Sequence, residues 1–126
     1  MQFIQFANVD ELIELIEIRF HRANVAIDDE LLSHIRNVDE STNHNALNVE
    51  FDVIHAFIET NLRQCVARNY MRELMKNHEN EFANLFCFAN ETTFHQYAIV
   101  EIDDNDHVRE IARIYVNDNA SIRVES

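Results

Sequence analysis

The chain of 126 residues contains no glycine, no proline and no tryptophan. At ordinary usage of about 7% Gly and 5% Pro, a chain this long lacks both roughly once in ten million draws. The absence constrains every reversal of the chain. Tight hairpins usually need a residue at positive φ, and glycine normally supplies it. Asn and Asp are the next-best residues for that region. They gather where turns are wanted, at Asp103-Asp104-Asn105-Asp106 and at Asn117-Asp118-Asn119. The pattern reads as a chain whose glycines were replaced by Asn and Asp, as in an engineered sequence or a restricted alphabet. Asn105, or an Asp flanking it, is expected at positive φ.

The length predicts one domain, 1–126, with no linker, repeat or composition break. A hydrophobic fraction of 47% suffices for a core, and a chain near this size hides roughly two-thirds of its unfolded surface. The net charge is −13, with Lys76 the one lysine and nine arginines. So few cations cannot neutralise a phosphate backbone, so no nucleic-acid partner is expected. An anionic membrane surface would repel the chain. No apolar run reaches the roughly 18 residues of a membrane span, and the start carries no signal-peptide pattern. A cytoplasmic setting is expected. Cys65 and Cys87 belong to no CxxC and read as small buried hydrophobes. The seven histidines show no HxH or HxxxH spacing, so no metal is expected. Without glycine there is no GxGxxG and no P-loop. No cofactor is expected.

Val9, Leu12, Ile13, Ile16, Phe20 and Ala23 share one face of a helix over 9–24, opened by Asn8 with Glu11. A short second helix starts at Asp28 or Asp29 and carries Leu31, Leu32 and Ile35. A third covers about 50–63 with Phe51, Ile54, Ile58 and Leu62. Phe82–Phe88, Thr92–Ile102 and Val108–Val116 are rich in aromatic and β-branched residues and read as antiparallel strands. Residues 64–76 favour helix by spacing and composition.

The order of these elements resembles the NTF2-like superfamily, which includes ketosteroid isomerase and the SnoaL-like cyclases. Three stretches carry the resemblance. Phe20-His-Arg-Ala-Asn-Val-Ala-Ile-Asp-Asp-Glu-Leu-Leu is similar to the family's exit from the first helix and entry to the second. Asn48-Val-Glu-Phe-Asp-Val-Ile-His-Ala-Phe-Ile is similar to its third helix, with Asn in the glycine place. Tyr97-Ala-Ile-Val-Glu-Ile-Asp-Asp-Asn-Asp-His-Val-Arg-Glu-Ile is similar to its closing hairpin. The resemblance implies an α+β cone, three N-terminal helices packed on a curved antiparallel sheet. It also implies a strand over 64–76, against the local preference, and a homodimer formed through the exposed sheet face.

By the same resemblance the cone holds a small apolar molecule, and its chemistry is proton transfer of the isomerase, cyclase or dehydratase type. A carboxylate buried in an apolar pocket makes a useful base. Glu40, on an extended segment after the second helix, falls near the family's general base; the other reading is a solvated acidic turn. The family's first-helix tyrosine would fall near Arg19 or Phe20, and neither is a tyrosine. His95 and Tyr97 share one strand face, and Arg113 and Tyr115 another. Brought together, they would make a catalytic and ligand-binding cluster with Phe20 and His55; the other reading is an interface. The alternatives to an enzyme are a non-catalytic binding or dimerisation module and an engineered scaffold without selected activity.

Overall fold

The computed structural model describes residues 2–41, 46–90, 92–93 and 95–125, with residues 38–41 as backbone only. Along the chain run β1 (Phe3–Phe6), α1 (Val9–Arg22), α2 (Asp29–Ser41), β2 (Leu47–Glu50), α3 (Phe51–Asn77), β3 (Asn84–Ala89), β4 (Gln96–Ile102), β5 (Val108–Val116) and β6 (Ile122–Glu125). The fold is α+β, with a two-stranded sheet β1-β2 and a four-stranded antiparallel sheet in the order β3-β4-β5-β6. The chain forms two compact units, Met1–Leu62 and Arg63–Ser126, and their boundary falls inside α3.

In the first unit α1 buries Val9, Leu12, Ile13, Ile16 and Phe20, the stripe that the spacing predicts. Its start is capped in both directions. The Asn8 side chain accepts the Glu11 N–H at 3.3 Å, and the Glu11 carboxylate accepts the Ala7 N–H at 2.6 Å. One orphaned helix donor, the Glu11 N–H, is thereby satisfied, together with the N–H of the residue before the cap. At its end Asn24 takes φ 58°. The Asn24 N–H donates to His21 O and the Val25 N–H to Phe20 O. This is a Schellman ending with Asn in the position glycine usually holds. Helix α2 begins beyond buried Asp28, whose carboxylate accepts the Glu30 N–H at 2.8 Å. It runs to Ser41, so Glu40 stands on a helix and not on the expected extended segment. The Glu40 side chain lies outside the described residues. Strands β1 and β2 pair antiparallel from Phe3↔Glu50 to Phe6↔Leu47. Both are four residues long, too short to leave a readable alternation.

The segment 64–76 corrects the resemblance. It is the second half of α3, a continuous helix of 27 residues, and not a strand. Ala67, Met71, Leu74, Met75 and the long charged side chains around them are strong helix formers. Leu62, Arg63, Cys65, Val66 and Ala67 are all buried, so this part of the helix is enclosed on several sides. In the second unit the register puts Leu85, Tyr97, Ile99, Ile114 and Val116 on one buried face. Phe86, Phe88, Ala98, Arg113 and Tyr115 take the other.

Two hairpin loops share one construction. The Asp103 N–H donates to His107 O, and the Asp106 N–H returns to Asp103 O. The Asn117 N–H donates to Ser121 O, and the Ala120 N–H to Asn117 O. Each is a three-residue loop whose last residue, the fourth of the turn, is left-handed, Asp106 at φ 63° and Ala120 at φ 68°. That is a type I turn followed by a bulge residue, a place that favours glycine. The left-handed residue is therefore the Asp after Asn105. Asn105 itself sits inside the turn, where its N–H donates to the Asp103 carboxylate at 2.9 Å.

Alanine has no side-chain group to offset a left-handed backbone, which costs an L-residue about 1–2 kcal/mol. Ala120→Gly is therefore expected to stabilise the protein by about 0.5–1 kcal/mol, after subtracting the extra unfolded-state entropy of glycine. Asn105→Gly should give no gain. Thermal midpoints of the two variants check this; an Ala120→Gly variant melting at or below the parent would contradict it.

Candidate functional site

Helix α1 presents Leu15, Ile18, Arg19 and Arg22 at spacings of three and four, to one side of its buried stripe. The first turns of α3 present Phe51, Ile54, His55, Ile58 and Glu59 at the same spacing. With Ile4 of β1 they line a cleft of about 210 Å³ in the first unit. Its walls are apolar, and Ile18 and Phe51 remain 51% and 43% exposed. One polar feature is fixed in the cleft. Arg19 Nε donates to Glu59 Oε1 at 2.8 Å and Nη2 to Oε2 at 3.1 Å, a two-pronged ion pair. His55 Nε2 stands 3.9 Å from Glu59 Oε1, and its ring stacks on Phe51 with centroids 6.1 Å apart. The charged lining is two guanidiniums against one carboxylate. A wider depression of about 540 Å³ over Glu14, Glu17, Ile18, His21 and Arg22 is lined by α1 alone, so it has no second wall to hold a ligand.

The second unit holds a smaller polar pocket, about 120 Å³, lined by Gln64, Arg68, Cys87, Ala89 and Tyr97. Burial pushes the Tyr97 phenol above its ordinary value, while the guanidinium of Arg63, which hydrogen-bonds it, pulls the other way. Burial likewise raises the Cys87 thiol, opposed by Arg68. Both groups are held protonated at neutral pH, so Tyr97 is a hydrogen-bond donor and Cys87 is a poor nucleophile.

The expected cluster does not assemble. Tyr97 pairs with Ile114 and Ala98 with Arg113, so Tyr97 lies on the face opposite Arg113 and Tyr115. The strands were right, but a one-residue difference in register exchanges the faces. His95 does reach Tyr115. Their rings stack with centroids 5.5 Å apart, and the guanidinium of Arg123 lies 4.8 Å from the Tyr115 ring. His95 itself is at φ 72° and its Nδ1 lies 2.9 Å from Val116 O, which ties it to the sheet end. Arg113 is exposed and paired with Glu110 at 3.0 and 3.1 Å, a pairing that raises its pKa. Phe20 is fully buried among the α1 core residues and lines neither the cleft nor the depression over α1. Of the expected ligand contacts, His55 alone lines the apolar cleft. The residues that reading by sequence missed include Ile4, Leu15, Ile18, Arg19, Arg22 and Glu59. Leu15 and Ile18 were the signal available: apolar residues that fall off the core stripe of α1.

The chain matches no family model, no curated protein and no solved structure. Among the described residues no helix is long and apolar enough to cross a membrane, and no group of three His, Cys, Asp or Glu side chains gathers as a metal site requires.

A raised phenol pKa favours the neutral side chain in the folded state. Tyr97 therefore contributes stability below its ordinary value of 10.0, and that contribution is lost as pH rises through the higher folded value. Cys87 acts in the same sense from its ordinary value of 9.0. Denaturant unfolding should show stability declining above about pH 9–10, and a shallower decline in Tyr97→Phe. Parallel declines in the two proteins would show that Tyr97 is not the group that titrates.

Proposed function

We propose that the first unit binds a small molecule with an apolar body and one acidic group. The carrying observation is the cleft between α1 and the start of α3, apolar in its walls and net positive in its charged lining, in a chain of net charge −13. An aliphatic or aromatic body would cover Ile18, Phe51 and their neighbours and remove them from water. The acidic group would meet Arg22 at the rim, with His55 beside it. The Arg19–Glu59 pair contributes a preformed polar wall, which lowers the ordering cost of binding.

Binding is a better fit than proton transfer. Acid–base catalysis needs its groups within hydrogen-bond reach of one substrate position. Tyr115 and Arg113 lie across the sheet from Tyr97. Nor does the binding reading require the NTF2-like cone, whose strand over 64–76 is replaced by helix.

Octanoate, an eight-carbon carboxylate, is the probe. Calorimetric titration should give a dissociation constant on the order of 100 µM, as suits a small ligand in a small cleft. Ile18→Glu adds a like charge at an exposed wall position, and it should weaken binding about tenfold with little change in stability. Undiminished octanoate binding by Ile18→Glu would overturn the assignment.

A further inference from the structure

We infer that strand β3 is a self-pairing edge, through which two copies of this chain join their four-stranded sheets into one of eight. This rests on the second unit alone and stands apart from the cleft. Strand β3 has one neighbour, β4. The Asn90 N–H donates to Gln96 O at 2.9 Å. In an antiparallel ladder such bonded positions alternate. Residues 84, 86, 88 and 90 therefore bond towards β4, and Leu85, Cys87 and Ala89 turn their N–H and C=O groups to the free edge. Phe86 and Phe88 lie 43% and 52% exposed beside it, with their rings stacked at 6.4 Å.

The sequence of this edge selects a second copy as the occupant. Asn84-Leu-Phe-Cys-Phe-Ala-Asn90 is nearly palindromic about Cys87. A two-fold interface requires that residue i meet j while j meets i. Centring the axis on Cys87 sets Phe86 against the partner's Phe88, Leu85 against the partner's Ala89, and Asn84 against the partner's Asn90. The outward-turned residues then fall in the hydrogen-bonded positions, as the ladder demands. Charge points the same way. Two chains of net charge −13 repel, and β3 is the one strand of this sheet with no charged side chain. The other edge, β6, carries Arg123 and Glu125, which pair with each other at 3.4 Å. Such charges discourage edge pairing. The contact is through the edge, and not through the sheet face that the NTF2-like resemblance implies.

The test is sedimentation of the reduced full chain in buffer salt, at concentrations up to about 100 µM. The expected species has twice the 14.9 kDa of one chain. Phe88→Lys, an exposed substitution that places a cation at the pairing edge, should weaken the dimer at least about tenfold. Cysteine cross-linking supplies an arm that does not depend on that variant folding. Opposed Cα atoms in a bonded pair lie about 5.5 Å apart, within the disulfide range. Oxidation by Cu(II)–phenanthroline, in which the two Cys87 thiols lose their protons to solvent and one electron each to Cu(II), giving two Cu(I) and one S–S bond, should yield a covalent dimer in Cys65→Ser and none in Cys87→Ser. A monomer throughout the concentration range overturns the proposal, as does a dimer indifferent to Phe88→Lys, or one that Cys87 does not cross-link.

Discussion

The left-handed residue that closes each of two hairpins holds β4, β5 and β6 in register, and which of their side chains face the core follows from that register. Asp106 and Ala120 reverse the chain in the same way, each as the fourth residue of a type I turn. The loop then fixes Ile102↔Val108 and Val116↔Ile122 as the first pairs of their ladders. Tyr97 consequently faces the core while Tyr115 faces away. Side chains around the loops take over work that glycine would do passively. The Asp103 carboxylate accepts the N–H groups of Asn105 and His107, and the Asn119 side chain accepts the Ser121 N–H. A chain without glycine thus depends on local polar bonds to hold its reversals.

What could be read in advance follows from what local chemistry decides. The α1 stripe, its Asn8 cap and the strands β4 and β5 were legible because each is a repeated spacing or a single capping motif. The turn position was legible to within one residue, since Asp and Asn clusters mark a turn but not its type. Register was not legible. It depends on loop construction: the interior face of β4, with Tyr97 and Ile99, was as expected, and that of β5 was one residue out. Residues 64–76 give the opposite lesson: the local preference for helix was correct, and the resemblance pulled the wrong way. The cleft was hidden because it needs β1, α1 and α3 together. Of its lining, only His55 stood out by residue type.

Electrostatics shape the surface more than the core. Among the described residues, five arginines are seen committed to carboxylates: Arg19 to Glu59, Arg36 to Asp10, Arg109 to Glu101, Arg113 to Glu110 and Arg123 to Glu125. Four of these are exposed pairs worth little individually. The Arg19–Glu59 pair is the more enclosed, and like Arg113–Glu110 it is made by two parallel bonds. With these five cations paired and a net charge of −13, the charge left over is predominantly negative.

The pairing of β1 with β2 has a kinetic meaning. Strands β3, β4, β5 and β6 pair only with their sequence neighbours, and α3 is local by nature, so the second unit needs no long loop closure. Phe3 meets Glu50 across nearly the whole first unit. Local contacts form early, and distant ones wait on the entropy of closing the intervening chain. On the ribosome, residues 3–6 are made before Leu47–Glu50 and have no strand partner until those emerge. Strand β1 is thus made ahead of β2 and is the last of its unit to find its place.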